Sequence, residues 1–334
     1  MAKPPQDGEI DVIGVGNALV DVLSHESDEF LHRYGLTKGT MHLIDEQRAR
    51  DLYAAMGPGV EVSGGSAANT MVGVASFGGR AHYIGKVRQD DLGEVFAHDL
   101  RSTGVGYDTP LAGGGPPTGR CLIVVTSGAQ RTMNTFLGAS VRLTSADIDE
   151  RLIMRGKILY LEGYLFDPPA AQEAFRKAAR LAHAAGRKVS LTLSDPFCVD
   201  RHREAFLDLV GHHVDILVAN EAEICSLYRV HDFDAALQRV RSQCEVAALT
   251  RGEQGSVITR GAEVHVIDAY PPDALVDTTG AGDLYAAGVL FGMSRGLDLA
   301  VCGKLGSLAA AEVISHVGAR PMKPLAELAG AVLA

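Results

Sequence analysis

The sequence of 334 residues lacks an excess of basic residues and lacks paired cysteines. Its formal net charge of −10 and isoelectric point near 5.6 argue against a general nucleic-acid or acidic-membrane binder, because either needs a basic surface. The five cysteines are odd in number and include no C-x-x-C pair. This pattern is typical of reduced core residues in a cytosolic protein.

The sequence also lacks targeting and membrane-spanning features. Met1–Glu9 is polar and contains proline, unlike a signal peptide, and no apolar run reaches membrane-spanning length. We therefore expect a cytoplasmic protein without a membrane or nucleic-acid partner. Internal repeats, low-complexity tracts and long linkers are absent as well. Residues 1–334 are therefore predicted to form one folding unit.

Two common phosphate-binding signatures are missing. Gly14 and Gly16 begin like a dinucleotide fingerprint, but Leu19 stands where the third glycine belongs, which argues against a Rossmann NAD site. Gly85-Lys86 and Gly303-Lys304 lack the upstream glycine and the following hydroxyl residue of a P-loop. A P-loop NTPase is excluded on the same basis.

Short apolar runs alternate with amphipathic stretches through most of the chain. Ile10–Gly16 is typical of a buried first strand. The alternation predicts an α/β fold with a mainly parallel sheet covered by helices on both faces. The predicted strands are Ala81–Lys86, Lys157–Leu161, Lys188–Leu193, Asp215–Ala219 and Val246–Thr250, and the predicted helices are Asp91–Ser102, Pro169–Ala185, Arg201–Val210, Ala222–Leu227, Phe233–Arg241, Gly282–Met293 and Leu297–Ser315.

One region interrupts this alternation. Pro116–Val125 and Arg131–Phe136 predict two strands joined by Ser127–Gln130, without a helix between them. Together with Thr40–Ile44 and Val60–Val62 they predict a small antiparallel sheet outside the main one. A sheet that projects over the ligand edge would act as a lid, contributed by segments within residues 18–62 and 116–140.

Residues Asp277–Asp283 read DTTGAGD and run into an apolar helix. Two glycines and Ala281 leave the backbone uncrowded where the helix begins, so free N–H groups and the positive end of the helix dipole can face one anion. Asp283 beside that anion would accept a proton from an attacking hydroxyl. The alternative interpretation is a glycine turn followed by a first-turn helix cap.

Further polar residues follow strands at the predicted ligand edge. The glycine pair Gly64-Gly65 lets a ligand approach the backbone, and Asn69, one turn into the next helix, could bond a hydroxyl. Asn17 and Asp21 follow the first strand and could clasp adjacent hydroxyls of a sugar. Turn residues are the commoner interpretation of that pair.

Two of these motifs, Gly64–Asn69 and Asp277–Asp283, resemble in sequence and order the signatures of the ribokinase-like (PfkB) carbohydrate and nucleoside kinases. Asn220–Glu223 is similar to the family's N-x-x-E motif, and Thr250–Gly255 is similar to its T-x-G-x-x-G loop. The resemblance covers about residues 10–322. It implies a central, mainly parallel sheet with helices on both sides and a small β lid.

The resemblance also implies a kinase that uses ATP and Mg²⁺, with a role for each motif. Asp283 would be the catalytic base, and Glu223 would serve Mg²⁺ through water. A monovalent-cation site and the choice between monomer and homodimer are left open. The anion hole would comprise Gly280, Ala281 and Gly282; the nucleotide would contact Asn220, Thr250, Gly252 and Gly255; the acceptor hydroxyls would contact Asn17, Asp21, Gly65 and Asn69.

Several stretches, among them Gly16–Asp21 and Leu191–Phe197, resemble the adenosine kinases of the family more than the ribokinases. This resemblance implies transfer to the 5′-hydroxyl of adenosine. A purine needs a flat apolar slot, although a core residue is the commoner interpretation of each candidate wall residue. The candidate walls are Met133 and Phe136 of the lid and Tyr164 and Phe197 of the main sheet.

The alternative acceptors are another nucleoside, such as inosine or guanosine, and a free sugar, such as ribose, fructose or a 2-keto-3-deoxy sugar acid. A sugar acid would need a fixed cation, for which Arg120 and Arg131 are candidates unless they are solvated lid charges. A third hypothesis is a kinase-shaped ligand sensor without turnover. Such a sensor would have lost the base or the glycines, but Asp283, Gly280 and Gly282 are all present.

Overall fold

The computed structural model describes residues 8–126 and 131–333. Within them, fourteen strands form a main sheet and a smaller second sheet, and thirteen α-helices accompany them. The strands are β1 (Ile10–Val15), β2 (Leu19–His25), β3 (Met41–Leu43), β4 (Val60–Gly64), β5 (Ala81–Ile84), β6 (Gly106–Tyr107), β7 (Gly119–Val125), β8 (Arg131–Phe136), β9 (Gly156–Glu162), β10 (Lys188–Thr192), β11 (Ile216–Asn220), β12 (Val246–Thr250), β13 (Ser256–Arg260) and β14 (Glu263–Ile267).

The helices lie mostly between consecutive strands, as the sequence alternation predicts. In the same described ranges they are α1 (Asp28–Arg33), α2 (Glu46–Ala55), α3 (Ser66–Ser76), α4 (Asp91–Ser102), α5 (Glu150–Arg155), α6 (Pro169–Ala184), α7 (Pro196–His213), α8 (Glu221–Tyr228), α9 (Phe233–Val240), α10 (Ala281–Ser294), α11 (Leu299–Val313), α12 (Leu325–Leu328) and α13 (Gly330–Leu333).

The main sheet has the strand order β14-β13-β12-β11-β10-β9-β1-β5-β6. Its strands pair in parallel from β6 to β12, and at one edge β13 pairs antiparallel with both β12 and β14. Alternate residues of β1 enter two separate cores: Val12 belongs to the core that includes residues of α3, α10 and α11, and Ile13 to the core that includes residues of α6 and α7. Helices therefore cover both faces, which confirms the predicted fold class.

The two helices α10 and α11 pack closely, because small residues lie where they cross. A Cβ atom on Gly288 would lie 2.5 Å from the backbone nitrogen of Gly306, so glycine is required at that crossing.

Several bounds differ from the sequence predictions by one to three residues, and the start of helix α7 differs by five. Helix α7 begins at Pro196 rather than Arg201, because the Asp195 side chain accepts a hydrogen bond from the Cys198 N–H at 2.6 Å and caps the helix. A break at His202, with φ −123° and ψ 21°, interrupts its periodicity. The edge hairpin of β13 and β14 was not predicted, since its exposed outer strand lacks a buried apolar run.

The second sheet has the order β3-β8-β7-β2-β4; it is built from the segments predicted to form a lid and is called the lid below. It is mixed rather than antiparallel, because β2 pairs in parallel with β7 and β3 with β8. Asp21 lies within strand β2 of this sheet, so the turn interpretation of Asp21 is wrong. The predicted connection Ser127–Gln130 falls outside the described residues.

Candidate active site

A cavity of about 880 Å³ lies between the lid and the carboxyl ends of the main-sheet strands. Parallel strands deliver polar loop residues to this edge, which is where open α/β sheets bind ligands. Its wall includes the start of α10, the start of α3, the ends of β9 to β12 and the inner face of the lid. All four predicted motifs contribute residues to its lining.

The start of α10 has the geometry of an anion-binding turn. Gly280 has φ +80°, and a Cβ atom there would lie 2.7 Å from the Cα of Ala319, so both conformation and space require glycine. The Ala281 N–H donates to the Thr278 carbonyl at 3.2 Å. Within the described chain, the N–H groups of Gly280 and Gly282 have no protein acceptor. Two of the three predicted N–H groups are therefore available to an anion.

Asp283, on the first turn of α10, lies beside that turn. Its Oδ1 accepts a hydrogen bond from Ser66 Oγ at 2.6 Å, and its Oδ2 accepts one from Asn69 Nδ2 at 3.1 Å. Burial raises the pKa of Asp283 to about 6, while these two bonds act in the opposite direction. The carboxylate is thus fixed, lines the cavity and has a basicity suited to accepting a proton near neutral pH. Ser66 lies within the Gly64–Asn69 motif and opens the helix that carries Asn69, but it was not among the predicted site residues.

The turn before α3 requires Gly65. Its φ is +99°, and a Cβ atom would lie 2.1 Å from the carbonyl oxygen of Asn17. This close contact brings the start of α3 against the connection between β1 and β2, where the chain passes from the main sheet into the lid.

Glu162, at the end of β9, is a site residue that sequence reasoning missed. Its Oε1 accepts from the Asn17 N–H at 3.2 Å and from Asn17 Nδ2 at 3.0 Å, and its Oε2 accepts from the Ala67 N–H at 2.8 Å. Burial raises the pKa of Glu162 to about 7, although the hydrogen bonds from these donors act to lower it. The signal was available, because a glutamate directly follows the run Ile158–Leu161 of β9.

Asn17 is held by protein at both ends of its side chain. Besides donating to Glu162, it accepts a hydrogen bond from Ser140 Oγ at 2.8 Å through Oδ1. It therefore joins β9 to the segment that follows the lid, although it also lines the cavity. Asp21 differs, because no described group donates a hydrogen bond to it. Burial raises the pKa of Asp21 to about 6, opposed by the nearby charges of Arg320 and Arg131.

The predicted nucleotide motifs lie at the ends of β11 and β12. Asn220 and Glu223 form a reciprocal capping box: the Glu223 N–H donates to Asn220 Oδ1 at 2.9 Å, and the Asn220 N–H donates to Glu223 Oε2 at 2.9 Å. Burial raises the pKa of Glu223 to about 7. Thr250 and Gly252 also line the cavity. Gly255 does not, because it forms the turn into β13, where a Cβ atom would lie 2.0 Å from the Ile267 carbonyl oxygen.

The predicted acceptor walls are only partly assembled. Met133, Tyr164 and Phe197 line the cavity, and Phe197 is 76% exposed. The prediction for Phe136 is wrong, because side chains alternate along β8 and it is the neighbouring Thr135 that faces the cavity.

Neither lid arginine offers a free cation to the cavity. Arg120 lies over the Tyr53 ring at 5.3 Å, outside the cavity lining. Arg131 forms an ion pair with Asp277, with Nη2 and Oδ2 3.0 Å apart and both side chains under a tenth exposed. The solvated-charge interpretation is therefore wrong for Arg131. A cation that does line the cavity is Arg201, which is paired with Asp167 at 3.1 Å.

Comparison with known proteins identifies the family. Residues 34–326 match the model of the pfkB family carbohydrate kinases. The chain belongs to this family. Its members' chemistry makes the protein a phosphotransferase that acts on an alcohol group, with ATP as the expected phosphate donor.

Individual relatives within the pfkB family agree with this assignment. The solved adenosine kinase of Sinorhizobium meliloti is 50% identical, with a TM-score of 0.90 over 97% of this chain and 99% of that one. A solved probable sugar kinase from Rhizobium etli CFN 42 is 49% identical, also with a TM-score of 0.90, over 97% and 99% of the two chains. The adenosine kinase of Saccharomyces cerevisiae is 27% identical over 92% of this chain and 95% of its own.

Mg²⁺ is typical of pfkB kinases, and the residues here would fit a site made mainly by substrate phosphates. Within residues 8–126 and 131–333, no three His, Cys, Asp or Glu side chains cluster as a metal site. Glu223 supplies one carboxylate at the cavity wall, with both oxygens already bonded to Asn220. Mg²⁺ in kinases commonly takes one or two carboxylates together with phosphates and water. Glu223 would therefore hold the ion through water.

No helix in the described ranges is long and apolar enough to cross a membrane.

Proposed function

We propose that the protein transfers the γ-phosphoryl group of ATP to the 5′-hydroxyl of adenosine, which gives AMP and ADP. The observation that carries this proposal is the placement of Asp283 beside the free N–H groups of Gly280 and Gly282 in one cavity. A base and an anion hole at one point are what phosphoryl transfer to an alcohol requires.

Each group has a separate task in this reaction. Asp283 accepts the proton of the 5′-hydroxyl as the oxygen forms its bond to phosphorus, and Ser66 and Asn69 hold the carboxylate in place. The Gly280 and Gly282 N–H groups, with the positive end of the α10 dipole, stabilise the charge on the transferred group's oxygens. Bound Mg²⁺ would neutralise charge on the phosphates of ATP.

The choice of adenosine rests on likeness and on the cavity's apolar walls. Two of the relatives described above are adenosine kinases, one of them 50% identical. Met133 from the lid and Tyr164 and Phe197 from the main-sheet side supply apolar surface on which a purine can stack. The proposed contacts of the acceptor's hydroxyls are Asp21 and Asn69. Within the described protein, no group donates a hydrogen bond to the Asp21 carboxyl.

A second candidate is a kinase for another nucleoside or a free sugar. It is favoured by the 49% identical probable sugar kinase and by the carboxylates Asp21 and Glu162, which suit a polyhydroxylated acceptor. A sugar acid would find Arg201 rather than Arg120 or Arg131 at the cavity wall.

A coupled ADP-release assay with ATP and Mg²⁺ separates these candidates. The acceptor panel contains adenosine, inosine, guanosine, ribose, fructose and a 2-keto-3-deoxy sugar acid. We expect adenosine to give the highest kcat/KM. A value for adenosine more than tenfold below that of the best acceptor contradicts the substrate assignment.

The base is tested by Asp283→Asn, which keeps the size of the side chain. We expect kcat to fall on the order of 10²–10⁴-fold, with the thermal unfolding midpoint nearly unchanged. Asp273→Asn is the matched control, because Asp273 is an exposed surface carboxylate outside the catalytic cavity. Near-normal kcat in folded Asp283→Asn would overturn the proposed role.

A further inference from the structure

Arg320 lies in the segment between α11 and α12 and bonds Asn69, which in turn bonds Asp283. It belongs to none of the sequence motifs. Its guanidinium donates three hydrogen bonds: Nη1 to Asp99 Oδ2 at 2.7 Å, Nη2 to Ser63 Oγ at 2.6 Å, and Nε to Asn69 Oδ1 at 3.4 Å. The side chain is 17% exposed. Three elements, β4, α4 and α3, thus meet at one cation.

The first two bonds fix the guanidinium plane. Asp99 Oδ2 also accepts from the Ser63 N–H at 2.8 Å and from Ser63 Oγ at 2.6 Å, so its position is determined from two sides. Burial raises the pKa of Asp99, but the Ser63 bonds and the Arg320 charge outweigh it and hold that pKa below its usual value. Asp99 is therefore ionised and anchors Arg320, whose Nε is left for Asn69.

The third bond determines how the Asn69 amide is oriented. The oxygen and nitrogen of an asparagine amide are nearly equal in size, so only their hydrogen-bond partners decide which way the group points. An arginine nitrogen donates and never accepts, so the amide oxygen faces Arg320 and the amide nitrogen faces Asp283. The opposite orientation would place an oxygen against the Asp283 carboxylate and two donors against each other.

We propose that Arg320 is a positioning residue for phosphoryl transfer: it orients the Asn69 amide and thereby keeps an N–H donor on the Asp283 carboxylate. The inference rests on the proposed function, because it assumes that Asp283 is the base. Losing that donor disfavours the ionised carboxylate, so a higher pH is needed to generate the active base.

Other ionisable groups also surround Asp283. They are the carboxyl groups of Asp21 on β2, Glu162 on β9 and Glu223 on α8, and the hydroxyls of Tyr160 and Tyr164. Arg320 also acts on Asp21 directly, because its charge lowers the pKa of that carboxyl. A test must therefore separate the charge of Arg320 from the direction of its Nε–H bond.

Arg320→Met and Arg320→Lys make that separation. Methionine removes both the charge and the donors. Lysine keeps a charge near Asp21, but one nitrogen cannot occupy the three separate positions from which the guanidinium bonds Asp99, Ser63 and Asn69. Lys323→Met is the matched control, since this lysine lies three residues on and its exposed side chain bonds Asp273.

The measurement is the pH profile of kcat for the acceptor that the wild-type enzyme prefers, with saturating ATP and acceptor. We expect Arg320→Met to move the acid limb upward by roughly half a pH unit or more, which lowers kcat about threefold or more on the acid side of the limb and less at neutral pH. Arg320→Lys should keep most of this shift. The KM for ATP and the Lys323→Met profile should match the wild type.

An active Arg320→Met enzyme with the wild-type acid limb overturns the inference. Full recovery of the profile in Arg320→Lys does so as well, because it assigns the effect to charge near Asp21. If Arg320→Met does not fold, Asp99→Asn takes its place: it loosens one anchor, and an unchanged acid limb contradicts the inference. A wild-type protein that turns over none of the acceptors, or an active Asp283→Asn variant, refutes the proposed function itself.

Discussion

Asp277→Asn is expected to destabilise the protein more than Arg131→Met, although the two side chains form one ion pair between the lid and the turn before α10. The carboxylate has further donors: the Thr279 N–H at 3.1 Å, Thr279 Oγ1 at 2.7 Å and the Gly318 N–H at 3.1 Å. The Arg131 guanidinium has fewer partners, since its buried Nε has no hydrogen-bond partner within the described chain.

The magnitudes follow from this asymmetry. Without the carboxylate, a buried guanidinium loses its paired charge, which typically costs about 3–5 kcal/mol of unfolding free energy. Nearby Asp21 compensates part of this loss, because the two charges interact. Without the guanidinium, the carboxylate keeps its other donors, so the cost is about 1–3 kcal/mol. The double variant should cost less than the sum of the single ones by about 1–3 kcal/mol.

The assay is urea unfolding of the wild type, the two single variants and the double variant, with slopes compared to verify one unfolding transition. The cycle of Lys323→Met with Asp273→Asn is the control, because that pair is 58% and 76% exposed and exposed pairs contribute about 0–1 kcal/mol. The reasoning fails if Arg131→Met is the more destabilising change, or if the single effects add within about 0.5 kcal/mol.

Two further predictions concern the catalytic cavity. Burial raises the pKa of Glu162 from 4.5 to about 7, so the unfolded chain releases this proton at lower pH than the folded protein does. The group therefore makes the unfolding free energy fall as the pH rises through that window. Glu162→Gln should reduce the difference in unfolding free energy between pH 5 and pH 8 by roughly 1–3 kcal/mol, and an unchanged difference contradicts the raised pKa. Gly280→Ala should lower the unfolding free energy by about 1–2 kcal/mol and should lower kcat at least tenfold, because about one hydrogen bond to the transferred group is lost. Gly282→Ala has open space around its Cβ and should leave the unfolding midpoint nearly unchanged. Equal destabilisation by the two changes would contradict the requirement for glycine at position 280.

Much of the local structure could be predicted because it depends on neighbours in sequence. The strand Val246–Thr250 and the helix Asp91–Ser102 have the predicted bounds, since an apolar run and a capped amphipathic stretch mark them. The glycines of Gly64–Asn69 and Asp277–Asp283 likewise predict tight turns before helices. Phe136 was misassigned because strand bounds alone do not say which face of a lid sheet looks inward.

Other features were invisible because the groups involved are far apart in the chain. Ser66 bonds Asp283 across 217 positions, and Asn17 meets Glu162 across 145. Patterns of neighbouring residues carry no information about such distant pairs. Conversely, Gly255 belongs to a sequence motif but forms a turn that lies away from the cavity.

The sequence by itself determined the family, the alternation of strands and helices, and the residue types at the start of α10. Only the tertiary structure decided which side chains share the cavity, how burial raises the pKa of Asp283, and that Arg320 faces Asn69. The physical reason is that backbone conformation and hydrophobic period are local properties, whereas burial, charge and hydrogen-bond partners are set by packing between distant segments.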